Sequence, residues 1–497
     1  MVLRLRIAPA NFEGDEVVEA GRGVTLRPGE DEVEFAVLLS QPRLWWSWDQ
    51  GFPHLYRLEV RLHEDTAAGT GRIDPVESTA ALDGSGAIDA VSTRFGVREV
   101  RRGPNWELYL NGRRFFARGT NYLSRLFMST AGPELYDCHV ALVRELGMNL
   151  VRVFAHVELP YFYDRCDELG ILVYQDLPLQ WGYEQSPEVL TSALAMAEQM
   201  VTALRNHPCV IIWCCHSEPR LPDWLGLTRA VFRRMAELDS SRILVKASVF
   251  APVGGLTNEE EDEEAFDAYH RTALTVSWVG WYWDRIEDIE KYNPRFISEM
   301  GAQALPDVQS LREMLPEGAF WPPDWEAWKQ HGFQLDVYRQ NLGEPPDDLE
   351  TLVARSQEYQ ARLLKSHVEA FRRKKYRPVN SVVQFTLTDC APVISWSVVD
   401  FFGRPKAAYH VLRAVMQPLL VSIQVRIESR VQAAPVDVNI WVINDYPHGF
   451  EGAELAWEVL GPDGARALGG RRRLDVPGDA ALDGAARFTR GFSRPGR

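Results

Sequence analysis

Apolar and polar residues alternate at every second position through the first hundred residues, with Gly, Pro and Asp breaking the runs. Met1-Val2-Leu3-Arg4-Leu5-Arg6-Ile7, Val24-Thr25-Leu26-Arg27, Val33-Glu34-Phe35-Ala36-Val37 and Leu55-Tyr56-Arg57-Leu58-Glu59-Val60-Arg61-Leu62 carry the pattern. With no convincing helix among them, they predict an immunoglobulin-like β-sandwich over 1–103. From about residue 104 the period changes. Short apolar runs at 115–119, 149–154, 172–176, 210–215, 243–247, 274–279, 295–298 and 381–387 are separated by longer stretches. Most of these stretches are amphipathic at helical spacing, as at 133–146, 159–169 and 192–206. Eight strands with seven intervening stretches over roughly 300 residues is the count of a (β/α)8 barrel, here 104–418. The Trp/Pro-rich stretch 309–348 is poorly periodic; it reads as an insertion after strand seven that either walls the mouth of the barrel or is a surface excursion. After Pro418 alternation returns in Val421-Ser422-Ile423-Gln424-Val425-Arg426-Ile427 and Val436-Asp437-Val438-Asn439-Ile440-Trp441-Val442. That predicts a second β-sandwich over 419–497, whose Gly-, Ala- and Arg-rich tail from about 461 frays or is incomplete.

At 497 residues the chain exceeds one core and divides into several domains, and 46% apolar content is that of an ordinary globular protein. A net charge of −15 argues against a nucleic-acid partner. The tight basic cluster Arg372-Arg373-Lys374-Lys375 reads as a solvated helix end rather than a binding patch. The six cysteines include adjacent Cys214 and Cys215, which point to opposite faces of a strand as buried free thiols do. No CxxC pair suggests a metal site, no spacing suggests a disulfide framework, and no cofactor is expected. No stretch is long enough to span a bilayer, so no membrane partner is expected, and the chain as written is placed in the cytoplasm. A homo-oligomer is left open. The sixteen Trp residues supply flat apolar faces of the kind on which sugar rings stack, although large cores use Trp as well.

The chemistry concentrates in two segments. Val210-Ile211-Ile212-Trp213-Cys214-Cys215-His216-Ser217-Glu218-Pro219 and Arg295-Phe296-Ile297-Ser298-Glu299-Met300-Gly301 are each a short apolar run ending in a Glu. As barrel strands four and seven they would bring both carboxylates to the C-terminal mouth, where that fold places its chemistry. Two carboxyl groups across a pocket are what glycosidic bond cleavage requires.

Longer motifs give these residues a context. Pro42-Arg43-Leu44-Trp45-Trp46 and Leu55-Tyr56 are followed by Arg94-Phe95-Gly96-Val97-Arg98, Asn111-Gly112 and Arg118-Gly119-Thr120-Asn121-Tyr122. Then come Leu146-Gly147-Met148-Asn149-Leu150-Val151-Arg152, Phe162-Tyr163-Asp164 through Gly170-Ile171-Leu172-Val173, and Arg205-Asn206-His207-Pro208 leading into Trp213. In this order they resemble glycoside hydrolase family 2, the group containing β-galactosidases, β-glucuronidases and β-mannosidases. The resemblance implies that Glu218 is the proton donor and later the base, and Glu299 the nucleophile, of a retaining double displacement. Physically, the two environments must then differ. Desolvation beside the apolar run is expected to raise Glu218, and Arg152 at the end of strand two to hold Glu299 ionised. Asn121 and Asp176 could bind sugar hydroxyls or merely form turns. Trp181, Trp278, Trp283 and Trp396 are candidates for a sugar platform, against ordinary core packing. His216 could tune the acid/base or donate to substrate, whereas His139 reads as structural.

The β-galactosidase type carries an Arg-His-Glu-His cluster where this chain has Asn121-Tyr122-Leu123-Ser124-Arg125, and no Asn-x-Lys triplet of the β-glucuronidase type occurs. Gly280-Trp281-Tyr282-Trp283, Ser395-Trp396-Ser397-Val398-Val399-Asp400 and Gly403-Arg404-Pro405-Lys406-Ala407-Ala408-Tyr409 look more like the β-mannosidase and exo-glucosaminidase branch. The expected function is a retaining exo-β-glycosidase acting on an oligosaccharide or glycoside, β-mannosidase-like first, with β-galactosidase, exo-glucosaminidase and arabinosidase specificities as alternatives. Three departures touch the sugar site. Ser217 stands where the family has Asn, Phe385 where it has Trp, and Ser277-Trp278 where it has His-x-Tyr. Ser217 and Phe385 also motivate a rival reading, a non-catalytic or weakly active carbohydrate-binding homologue; transglycosylation is a third possibility. The family's N-terminal jelly-roll domain has no counterpart, which implies either a shortened member with a more open site or a fragment.

Overall fold

The computed structural model describes residues 1–14, 17–25, 29, 32–64, 86–184, 186–219, 224–248, 274–427 and 435–491. The N-terminal sheet orders its four strands as Val18–Gly23, Val2–Pro9, Tyr56–His63 and Ala87–Phe95, all antiparallel. Its small core is Leu5, Ile7 and Tyr56, and Phe35, Val37 and Leu39 pack on it without joining the sheet. The segment expected as a strand at 33–37 is thus an extended cover, whose apolar residues Phe35 and Val37 pack on the core of the sheet instead of pairing along an edge. Part of the other expected strand, 26–27, lies outside the described residues.

Eight parallel strands follow. In chain order they are Ala117–Tyr122, Leu150–Val153, Leu172–Asp176, Val210–Cys214, Ile243–Val245, Leu274–Ser277, Phe296–Met300 and Ser381–Gln384, called barrel strands one to eight below. Strands five, four, three, two, one and eight form one hydrogen-bonded sheet, and six pairs with seven. Strand seven is stitched to eight through Phe385 N–H to Met300 O and Asn380 N–H to Arg295 O, both 2.8 Å. Strands one, two, three, four, seven and eight are buried along their full length, as expected of a sheet covered on both faces.

The helices between them start and stop on local signals. Pro133 and Pro160 open the helices Pro133–Glu145 and Pro160–Leu169, where the missing N–H costs nothing. Gly170 ends the second at φ 68°, and a Cβ there would lie 2.7 Å from the backbone nitrogen of Trp48, so the position is doubly restricted to glycine. Ser186 caps the helix Pro187–Leu204 by accepting from Val189 N–H at 3.2 Å.

The stretch 309–348 is not irregular. It holds the short helices Val308–Met314, Glu317–Phe320, Trp325–Gln330 and Leu335–Leu342, each too brief to show a period. They build their own core around Leu311, Trp328, Phe333 and Tyr338.

Beyond the barrel, a sheet of Leu419–Ile427, Pro435–Asn444 and Ala480–Gly491 lies with a two-stranded sheet of Phe450–Leu460 and Arg466–Val476 over Ile440, Val442 and Leu455. The tail expected to fray is therefore two long strands. Its glycines serve packing, since a Cβ at Gly470 would collide with the Trp457 indole.

The basic cluster at 372–375 is not simply a solvated helix end. Arg372 and Lys375 are buried at the end of the helix Leu349–Arg373. Both donate to Asp445, Arg372 at 2.6 Å and Lys375 at 2.8 Å. Arg118 joins the cluster, 2.7 Å from Asp445 and 2.8 Å from Asp49. One buried knot thus ties the N-terminal segment, the barrel and the C-terminal sheets, near the start of strand one and so at the end opposite the mouth.

Candidate active site

Strand register brings the expected residues together. Asn121 pairs with Arg152, and Tyr174, two before Asp176, lies across from Arg152 on the other side. Alternate residues point inward, so Asn121, Arg152 and Asp176 enter the barrel lumen near its C-terminal end. Arg152 is fully buried and its guanidinium is saturated. Nε and Nη2 donate to the two oxygens of Asp176 at 3.3 and 2.7 Å. Nη1 donates to Glu299 Oε1 and to Asn121 Oδ1, and Nη2 to Ser217 Oγ at 3.0 Å. Strands one, two, three, four and seven thereby meet on one cation.

Glu299 is buried at the end of strand seven, whereas Glu218, just past strand four, is half-buried. Glu218 sits at φ 44° and Trp181, which faces it from the loop after strand three, at φ 61°. Both are in the left-handed region that side chains avoid, and such strain persists where the surroundings hold a geometry in place. Here the surroundings are identifiable. Trp181 N–H donates to Ser217 O (3.0 Å), Ser217 N–H to Leu179 O (2.8 Å) and Glu218 N–H to Ser248 O (2.8 Å). The Trp181 indole N–H then donates to Glu218 Oε2 at 3.1 Å.

The two carboxylates act on one another. Burial pushes Glu299 up to about 8, with Arg152 opposing and the charge of Glu218 adding to the rise. This corrects the expectation that donors, Arg152 among them, hold Glu299 ionised: the guanidinium is shared with Asp176, and one cation does not offset the desolvation of two carboxylates. Asp176 is raised for the same reason, burial outweighing Arg152.

The linkage has a definite sign. Native Glu299 keeps its proton up to about 8, whereas the unfolded chain releases it near 4.5. Its contribution to stability is therefore full below the unfolded value and is lost as pH rises through the folded one. Glu299→Gln, which cannot ionise, should melt above the wild type by a margin that widens from pH 5 to pH 8, reaching on the order of 3–5 kcal/mol. Scanning calorimetry at both pH values checks this; a margin that does not change with pH excludes the shift.

The remaining expected residues fall into two groups. Asn121 gives its amide N–H to Ser298 O (2.9 Å) and Gln384 O (3.2 Å), so it ties strands one, seven and eight together behind the carboxylates. His216 is buried with one ring nitrogen on Thr228 Oγ1 and the other on Trp181 O, each at 3.0 Å, and burial lowers it to about 4. It braces the Trp181 loop as a neutral imidazole. Trp278 is buried in an aromatic cluster with Tyr282 (5.6 Å), Phe385 and Trp396 (both 5.7 Å). Trp396 is half-buried there, and the half-buried Trp283 closes the turn after strand six through Gly280 N–H to its carbonyl at 2.7 Å. Of the four Trp candidates, Trp181 alone is half exposed, at 50%.

Two residues were missed. Tyr282 feels the charges of both Glu218 and Glu299, which add to a rise that burial begins. Gln334, from the inserted helices, exchanges hydrogen bonds with the Tyr282 hydroxyl at 2.8 and 3.1 Å, so the insertion does reach the mouth. Tyr282 was visible within Gly-Trp-Tyr-Trp; nothing in the sequence marked Gln334. Asp164, Asp167 and His207 also lie together, but Asp164 pairs with Arg94 and Asp167 with His207, which accounts for them structurally.

The comparisons with known proteins bear on the barrel that carries these residues. Residues 104–315 match the family model described as the TIM barrel domain of glycosyl hydrolases family 2. Beta-mannosidase B of Thermothelomyces thermophilus is 26% identical over 461 residues, covering 83% of this chain and 51% of its own length. The protein of the same name from Aspergillus flavus is 24% identical over 460 residues, with 83% and 50% coverage. The chain thus spans about half the length of these curated relatives. Among solved structures, a beta-D-mannosidase from Dictyoglomus thermophilum superposes with TM-score 0.76 at 22% identity, covering 98% of this chain and 59% of that one. An exo-chitosanase from Amycolatopsis orientalis gives 0.69 at 18% identity, with 100% and 60% coverage. These structural likenesses speak to the fold.

Proposed function

We propose that the chain is a member of glycosyl hydrolases family 2, whose TIM barrel domain matches residues 104–315, and that it is a retaining exo-β-glycosidase acting on terminal β-linked sugars, β-mannosides foremost. In this reading 1–103 and 419–497 are immunoglobulin-like sandwiches flanking a catalytic barrel at 104–418. Unpaired thiols at all six cysteines fit a reducing compartment such as the cytoplasm, and no helix among the described residues is long and apolar enough to cross a membrane.

The observation that carries the proposal is the pairing of Glu299, on the buried Arg152, with Glu218, on the Trp181 indole, close enough for Glu218 to raise Glu299. A half-exposed carboxyl and a buried one on a cation are unlike environments, as acid/base and nucleophile require. In the first step Glu299 would attack the anomeric carbon while Glu218 protonates the departing oxygen. In the second, Glu218 would deprotonate the water that releases the sugar. The one proton that the pair holds must pass from Glu299 to Glu218 before attack, which frees the nucleophile and arms the acid. Arg152 favours the ionised Glu299 that the transfer leaves, and the positive charge that develops on the sugar during attack is then met by that carboxylate.

Ser217 Oγ accepts from Arg152, which still leaves its own hydroxyl proton for a sugar oxygen. Aryl β-mannoside, glucoside, galactoside, glucosaminide and α-L-arabinoside test the reading. The β-mannoside is expected to give the highest kcat/KM, and turnover of none of the five sinks the proposal. The raised Glu299 favours a second reading, a weakly active carbohydrate-binding homologue, which predicts saturable binding of these glycosides without turnover.

A further inference from the structure

Beside Trp181 the protein holds a cavity of about 180 Å³. Its walls include Trp181, Tyr183, Val189, Leu190, Leu227 and His216. Trp181, Tyr183 and Leu190 are 50%, 40% and 36% exposed, so three large apolar side chains meet solvent side by side at this one place. Apart from the exposed Glu184 carboxylate and the hydroxyl protons of Tyr183 and Ser186, the polar side-chain atoms around them are already engaged. The Trp181 indole N–H donates to Glu218, the Tyr183 hydroxyl accepts from Gln180 N–H at 2.9 Å, and both His216 nitrogens are bonded. Ser186 Oγ is taken up by the helix cap. A pyranose ring seated against Val189, Leu190 and Leu227 would bury hydroxyls on apolar walls, a loss of about 1–3 kcal/mol for each one left unpaired. An apolar group would not. In size the space suits one aromatic ring or a short alkyl chain, since a dry cavity of about 150 Å³ in another protein takes up benzene.

Trp181 is shared between this cavity and Glu218, the carboxyl that would protonate the departing oxygen. We propose that the cavity is the subsite for an apolar leaving group, an aryl or short alkyl aglycone, stacked on Trp181 and seated against Val189, Leu190 and Leu227. The assignment rests on the reading of Glu218 as the acid/base. It makes the substrate a glycoside of an alcohol or phenol with an apolar body, rather than a sugar–sugar linkage alone.

Two measurements test it. Methyl and hexyl glycosides of the same sugar have leaving groups of nearly equal acidity, so chemistry alone predicts equal rates. The subsite predicts kcat/KM higher for hexyl by roughly 10- to 100-fold, with that ratio collapsing toward one in Leu190→Asp and in Leu227→Trp, which fills the space. Independently of turnover, the ¹⁹F line of 4-fluorophenol should broaden with the wild-type protein and sharpen again with either variant. A hexyl-to-methyl ratio near one, or broadening that both variants leave unchanged, overturns the assignment while the glycosidase reading stands. No hydrolysis of any glycoside, with 4-fluorophenol binding still dependent on Leu190 and Leu227, removes the glycosidase reading and leaves an apolar ligand site.

Discussion

Replacing Glu299 by Ala should lower glycoside hydrolysis by on the order of 10⁴-fold or more, and sodium azide should restore turnover of a substrate with an activated leaving group. The expectation of rescue follows from what surrounds the side chain. Arg152 donates through Nη1 to Glu299 and is otherwise committed to Asp176, Asn121 and Ser217. Removing the carboxylate empties a space beside a buried guanidinium, which favours a small anion. Azide seated there attacks from the face that Glu299 would have used, so the product should be the glycosyl azide of inverted configuration. Glu218→Ala makes the complementary experiment. There azide intercepts the sugar already bound to Glu299, and the product should keep the substrate's configuration. NMR of the two azides reads the assignment directly. If Glu299→Ala yields the retained azide, or hydrolyses substrate at the wild-type rate, the roles given to the two carboxylates are wrong.

How much of this could be read from the chain alone varies with the range of the interactions. The barrel strands were legible because each is a local run of apolar residues between turn signals; the starts and ends expected at 172–176 and 210–215 differ from the structure by a single residue at most. Glu218, Glu299 and Arg152 were legible because a strand end in a barrel points to one mouth whatever the rest of the fold does. The charge balance was not. That Arg152 must serve Asp176 as well as Glu299 depends on strand register, and the resulting rise of Glu299 reverses what the pair Arg152–Glu299 implies by itself. The aromatic candidates divided on the same ground. Trp278 and Trp181 each follow the end of a strand of the same barrel, yet one is enclosed by Phe385 and Trp396 while the other stands half exposed against Glu218. Local sequence does not record which neighbours close over a ring.

The buried knot at the far end of the barrel shows the same limit at its strongest and gives the second large effect. Asp49, Arg118, the Arg372–Lys375 segment and Asp445 come from four well-separated stretches, and nothing near any one of them announces the other three. Asp445 is fully buried, and Arg372, Lys375 and Arg118 hold it well below the usual carboxylate range. Arg118 would keep Asp49 and Lys375 would keep Asp479, at 2.8 Å in each case, if Asp445 were lost. Arg372 would keep only carbonyls, such as Gln417 O at 2.8 Å. It is already lowered to about 10 by burial with Asp445 in place. Asp445→Ala therefore strands one buried cation and should cost about 3–5 kcal/mol, enough to reduce soluble yield sharply and lower Tm. Pairing it with Arg372→Met, which removes the stranded charge and keeps an apolar stem, should recover a large part of that loss. The knot lies opposite the carboxylates, so the molecules that do fold should retain wild-type turnover per active site, counted by burst titration. An Asp445→Ala protein that melts within a degree of the wild type would mean that the three cations are solvated in solution, and the tie between the N-terminal segment, the barrel and the C-terminal sheets would then have to come from apolar contact alone.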